Sequence, residues 1–75
     1  MNLNDVTLNK ECVIIGVDLD DFDAGIRLME LGLTRGTHIK VLKKSVFKKT
    51  LLISFYSICF TLQDQLAKGV VVDYV

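Results

Sequence analysis

Residues 51–62 read LLISFYSICFTL. A tight turn at Tyr56-Ser57 sets Phe55 opposite Ile58, Ile53 opposite Phe60 and Leu51 opposite Leu62. Side chains alternate along a strand with a period of two, so all six then fall on one side. Ser54 and Cys59 pair on the other side. An apolar ladder this regular favours a hairpin over a buried helix. Tyr-Ser is a poor pair for a two-residue hairpin loop, which prefers Asn-Gly or a glycine, and a longer loop stays open.

The flanks carry the same pattern outward. Residues 37–44 (THIKVLKK) alternate, with Ile39 and Val41 on one face and Thr37 and Lys43 at its ends. His38, Lys40, Leu42 and Lys44 share the opposite face, as in a half-buried strand. Cys12–Val17 (CVIIGV) is apolar and rich in β-branched residues, and its Gly16 marks a bulge or a close backbone approach. The start, Leu3 to Leu8, reads as an edge segment. Phe47-Lys48-Lys49 reads as a loop. Gln63–Lys68 fits one helical turn stopped by Gly69, and Val70–Val75 a closing strand.

Between the first two strands lies an acidic loop, Asp18–Asp23, in which Asp21 or Asp23 is placed to cap a helix N-terminus. The following AGIRLMELGL, residues 24–33, is that helix. Ile26, Met29 and Leu33 share a face, widened by Leu28 and Leu31. The Ile26/Met29 side is expected to meet the core, leaving Arg27 and Glu30 nearer solvent. Gly32 stands where a helix ends in a left-handed residue, and Leu33 where the apolar contact of a Schellman ending belongs. Arg35-Gly36 makes a second turn. Five or so short antiparallel strands, one inserted helix and a helical turn before the last strand predict a mainly β fold, a small closed barrel over residues 1–75.

Composition agrees with one small domain. The chain has 75 residues, 51% of them hydrophobic and 24% charged, too apolar for a disordered segment. A domain of this size has no large interdomain cleft, and a multi-substrate enzyme is not expected. Nine basic and nine acidic residues cancel, but they are segregated. Residues 1–34 hold seven acids against Lys10 and Arg27, whereas residues 35–50 hold six bases and no acid. Such asymmetry steers partners or simply keeps an apolar domain in solution. The longest uncharged run, Thr50–Gln63, has 14 residues against the roughly 20 that a bilayer helix needs. Met1 runs into polar residues, so no leader is read. With Cys12 and Cys59 far apart and no CxxC, a cytoplasmic chain with reduced thiols is expected.

RLMELGLTRGTHIKVL, residues 27–42, resembles the central motif of the FeoA family: a helix ending R-L-x-E-L-G-L, a Thr-x-Gly turn, then a strand. CVIIGVD and FTLQDQLAKGVVV fit the family's first and last strands, so the resemblance covers about residues 3–73. It implies an SH3-like barrel that serves bacterial ferrous iron uptake as a cytosolic accessory of the FeoB transporter. Similar domains end metalloregulators of the diphtheria-toxin-repressor type. The chain departs from the family in its loops, with Arg35 at a usual proline and SVFKKT at 45–50 in place of a proline-rich loop. Partner contacts are expected at Arg27, Leu28, Glu30 and Leu33 of the helix and its exit, or at Lys48 and Lys49. Gly32 and Gly36 are structural turns. Weak self-association is compatible with this reading.

Other chemistry is less well supported. From Asp18 the fifth position of an EF-hand pattern is Phe22, so Asp18, Asp20, Asp21 and Asp23 read as a cap and a solvated loop. His38, Cys12 and Cys59 have no ligand spacing. No metal or other cofactor is expected, and no nucleophile constellation or phosphate loop is present in the sequence. The basic 35–49 stretch offers the alternative of a nucleic-acid-binding or regulator-associated barrel. Phe47 is its only aromatic residue, and single-strand binders interleave several. Lys48-Lys49 also suits an anionic membrane surface.

Overall fold

The computed structural model describes residues 1–75. The chain runs β1 (Cys12–Val17), α1 (Phe22–Leu31), β2 (His38–Ser45), β3 (Thr50–Phe55), β4 (Ile58–Gln63), α2 (Asp64–Ala67) and β5 (Val70–Tyr74). The strands form one antiparallel sheet in the order β4-β3-β2-β1-β5.

The β3–β4 hairpin has the register read from its sequence: Leu51 faces Leu62, Ile53 faces Phe60 and Phe55 faces Ile58. The turn is the two-residue one. Tyr56 and Ser57 both adopt positive φ, at 50° and 64°, so the pairing of the apolar ladder overrides the turn preference of Tyr-Ser. Leu51, Ile53, Phe55 and Leu62 are buried, while Ile58 beside the turn is 56% exposed. Phe60 packs edge-on against Phe55 with ring centroids 5.3 Å apart.

Two bulges bend the sheet. The first, between Ile14 and Gly16 opposite β5, leaves Ile15 as the extra residue. The second lies between Val41 and Lys43 opposite β3 and corrects the alternation expected for residues 37–44. With Leu42 unpaired, Lys44 comes opposite Leu51. Its ammonium donates to the carbonyls of Asn4 (2.7 Å) and Val6 (3.1 Å), tying the N-terminal segment to the sheet.

That segment does more than line an edge. Asn2 bridges to Val71, and Leu3 and Val6 enter the core. The Asn4 side-chain amide donates to the Asp64 carbonyl at the start of α2. β4 and β5 do not pair with each other, so the barrel is not closed by strand pairing as expected. The N-terminal segment, bonded to both α2 and β5, spans the gap.

α1 begins earlier than its sequence pattern suggests, at Phe22, because the Asp21 carboxylate accepts from the amides of Asp23 (3.0 Å) and Ala24 (3.4 Å). It ends in a Schellman motif. Gly32 sits at φ 97°, the Leu33 N–H donates to the Leu28 carbonyl, and the Gly32 N–H donates to the Met29 carbonyl. Gly36, at φ 93°, forms the second turn and donates to the Ile14 carbonyl. The buried Thr37 hydroxyl donates to the Gly32 carbonyl, clamping the helix exit to the start of β2.

The orientation of α1 corrects the expected one. Leu28 alone among its ten residues is buried, and Leu33 just beyond it is fully buried. Ile26 and Met29, expected to face the core, lie outside, as does Leu31. The Schellman ending is the physical reason. It brings the residue after the glycine back over the last turn, so Leu33 enters the core beside Leu28 rather than beside Ile26 and Met29.

At the other end of the core, Gly69 donates to Leu66 and its carbonyl accepts from Asp18. A Cβ there would run into the Leu19 side chain and come within 2.7 Å of the Asp18 carbonyl oxygen. Close packing against Asp18 and Leu19 is what requires glycine here.

Candidate interaction surface

Nine of ten α1 residues face outward or lie at its margin, and their apolar members are aligned. Phe22, Ile26 and Met29 follow i, i+4, i+7 spacing and form a stripe along the helix. Phe22 is 77% and Met29 62% exposed. Val17, Leu19 and Gly25 continue the stripe into a shallow recess of about 180 Å³ between the helix and the strand before it. Asp21 rims this recess, and Asp18, Asp20 and Asp23 stand in the same acidic segment. Arg27 and Glu30 are exposed as expected. Leu28 and Leu33, named with them as contact residues, are buried in the core.

A second surface lies at the β2–β3 turn. Val46 is 86% exposed and Phe47 fully so, at the tip of a hairpin whose last pair is Ser45–Thr50. Lys48 and Lys49 are exposed beside them, with Lys49 at φ 53°. The six bases of residues 35–50 do not make one continuous patch. Arg35 stands in the helix-exit turn, and Lys40 shares a recess with His38 and Tyr56. Lys43 and Lys48 line one side of the hairpin, and Lys44 and Lys49 the other.

No group of three His, Cys, Asp or Glu side chains converges to ligating distance. His38 pairs instead with Glu11, Nδ1 to carboxylate oxygen 3.4 Å, both on the surface. Cys59 is exposed opposite Ser54, whereas Cys12 is buried, its Sγ 3.4 Å from the Lys10 carbonyl. Burial pushes the Cys12 thiol above its ordinary 9.0. Tyr74 moves the other way, below 10.0, because its phenolic oxygen accepts from the Thr7 N–H (2.9 Å) and lies 3.3 Å from the Thr7 hydroxyl. The Lys10 ammonium sits 4.2 Å from the centre of the same ring. No helix is long and apolar enough to cross a membrane.

The sequence does not mark the Phe22 stripe or the bare Val46-Phe47 tip as surfaces, although the stripe has a readable signal. Its spacing matches a core-facing helix as well as Leu28 and Leu33 do, and only the helix ending breaks the tie.

Comparison with known proteins places this geometry. The family model described as FeoA domain matches residues 1–74. Among solved structures, the FeoA protein of Chlorobium tepidum is 24% identical and superposes with a TM-score of 0.88 over 100% of this chain and 70% of that one. The FeoA of Stenotrophomonas maltophilia, solved with zinc, is 29% identical with a TM-score of 0.83, over 97% of this chain and 89% of that one. It is described as a prokaryotic SH3 domain protein and a candidate activating factor of ferrous iron transport. ScaR with bound zinc shares the fold at a TM-score of 0.86 and 20% identity, matching 37% of its own length. No curated protein matches the chain.

Proposed function

The chain belongs to the FeoA domain family, and from that membership we propose that it acts as a small accessory protein that regulates a FeoB-type transporter by contact with its cytosolic parts. The family and its solved structures support a role in ferrous iron transport. Contact as the mode of regulation rests on one observation, the outward apolar stripe of α1. A helix fastened through Leu28 and its Leu33 ending has no need of Phe22, Ile26 and Met29 on its free side. Their exposure, next to the recess lined by Val17 and Leu19, is what an interface core looks like before the partner arrives. Arg27 and Glu30 belong to the polar rim, and the acids of the preceding loop favour a partner surface of apolar and basic residues.

The test is retention of a transporter from detergent-solubilised membranes on tagged protein. Wild type retains the transporter, and Phe22→Ser with Met29→Ser retains at least tenfold less while melting within a few degrees of wild type. Equal retention by wild type and double variant contradicts the proposal.

A further inference from the structure

The β2–β3 tip is built unlike the other turns of this molecule. Its two most exposed residues, Val46 and Phe47, are both apolar, and Phe47 touches nothing that shields it. A four-residue turn closed by a positive φ at Lys49 needs neither of them. Cations surround the pair. Lys43 and Lys48 flank one side of the hairpin and Lys49 the other, and none of the three makes an ion pair, the molecule's one such contact being His38 with Glu11. The single acid lining either side is Asp64, beside Lys49. Lys44 is not free, because its ammonium is held by the Asn4 and Val6 carbonyls. That tie anchors the base of the hairpin and presents the tip on a fixed support.

We propose that this tip docks on an anionic phospholipid surface, Val46 and Phe47 entering the interface and Lys43, Lys48 and Lys49 meeting the headgroup phosphates. The shape decides between lipid and protein. A stable protein interface needs about 800 Å² from each partner, which a convex tip of two apolar residues does not supply. A bilayer interface needs only a small apolar wedge with positive charge behind it, since each lysine adds attraction to anionic lipid and the wedge adds apolar burial. The surface lies outside α1 and does not depend on a transporter contact there.

The full chain is tested by co-sedimentation with vesicles of phosphatidylcholine alone and of phosphatidylcholine with phosphatidylglycerol. Binding is expected to the anionic vesicles only, and to fall as salt rises. Phe47→Ser is expected to weaken it about tenfold, and Lys48→Glu with Lys49→Glu at least a hundredfold. Met29→Ser, in the α1 stripe, is expected to leave it unchanged. The chain has no tryptophan, so Phe47→Trp gives a single reporter whose emission should shift to shorter wavelength on anionic vesicles. No binding to anionic vesicles overturns the proposal. So does binding with unmoved tryptophan emission, or binding that Phe47→Ser leaves intact. Binding only to vesicles that carry a transporter also overturns it, and assigns the tip to that protein instead.

Discussion

The β3–β4 hairpin and α1 contain similar proportions of apolar residues and use them in opposite ways. In the hairpin, Leu51, Ile53, Phe55 and Leu62 are buried, and Ile58 beside the turn is the one member of the facing ladder left exposed. In α1, Leu28 is buried and Phe22, Ile26, Met29 and Leu31 remain exposed. Two paired strands fix each other's facing, because a one-residue slip would turn the whole ladder to solvent. A helix that meets the core along one narrow face, through Leu28 and the Leu33 that follows it, has no such constraint, and its other face is left exposed. Apolar residues in the hairpin therefore stabilise the fold, and those on the outside of α1 are the ones proposed above to meet a partner.

The largest effects should come from the buried members of each region. Ile53→Ala and Leu28→Ala should each cost about 2–5 kcal/mol. For a domain of this size that lowers the melting temperature by roughly 4–8 °C per kcal/mol, measurable by calorimetry or circular dichroism. A Leu28→Ala variant that melts like wild type would break the comparison, since it would show that the buried side of α1 does not run through Leu28.

A smaller effect separates the two cysteines. A thiol with a raised value in the fold contributes its full stability below the ordinary 9.0 and loses it as the pH rises through the raised value. Tyr74 has the opposite sign, since its lowered value favours the folded state only at alkaline pH and that contribution disappears as pH falls through the lowered value. Urea midpoints of wild type and Cys12→Ala, taken from pH 8 to about pH 10, should converge as the Cys12 contribution is lost. Parallel curves contradict the burial assigned to Cys12. Alkylation under native conditions should label Cys59 at once and Cys12 only on unfolding.

The smallest effect on stability should come from the outer face of α1. Phe22→Ser and Met29→Ser should each shift unfolding by less than about 0.5 kcal/mol, as exposed positions do. A loss of several kcal/mol at Met29 would place that side chain in the core and sharpen the comparison against the present orientation.

Most of the fold could be read from residue order because strand pairing imposes a period. The register of Leu51–Leu62, the bulge at Gly16, the Asp21 cap and the left-handed Gly32 all follow from local chemistry. The bulge at Leu42 could not, since nothing in KVLKK marks it. Its consequence is tertiary: it brings Lys44 opposite Leu51, where the ammonium meets the Asn4 and Val6 carbonyls. Nor did Leu3 and Val6 advertise themselves as the bridge across the open side of the barrel. At the candidate surface, the region was legible and the facing was not. Residues 22–33 carry two apolar stripes, and hydrophobic periodicity alone does not rank them. The Schellman pairing of Leu28 with Leu33 does, and it puts both in the core and leaves Phe22, Ile26 and Met29 exposed.

The central claim, that the free face of α1 is the transporter contact, is tested most directly by amide and methyl chemical-shift mapping of the labelled chain. The titrant is the cytosolic part of a FeoB-type transporter. The expected result is a cluster of shifts at Phe22, Ile26 and Met29 extending to Val17 and Leu19, with the β3–β4 hairpin unmoved. Shifts confined to the hairpin or to the β2–β3 tip, with α1 silent, would contradict it.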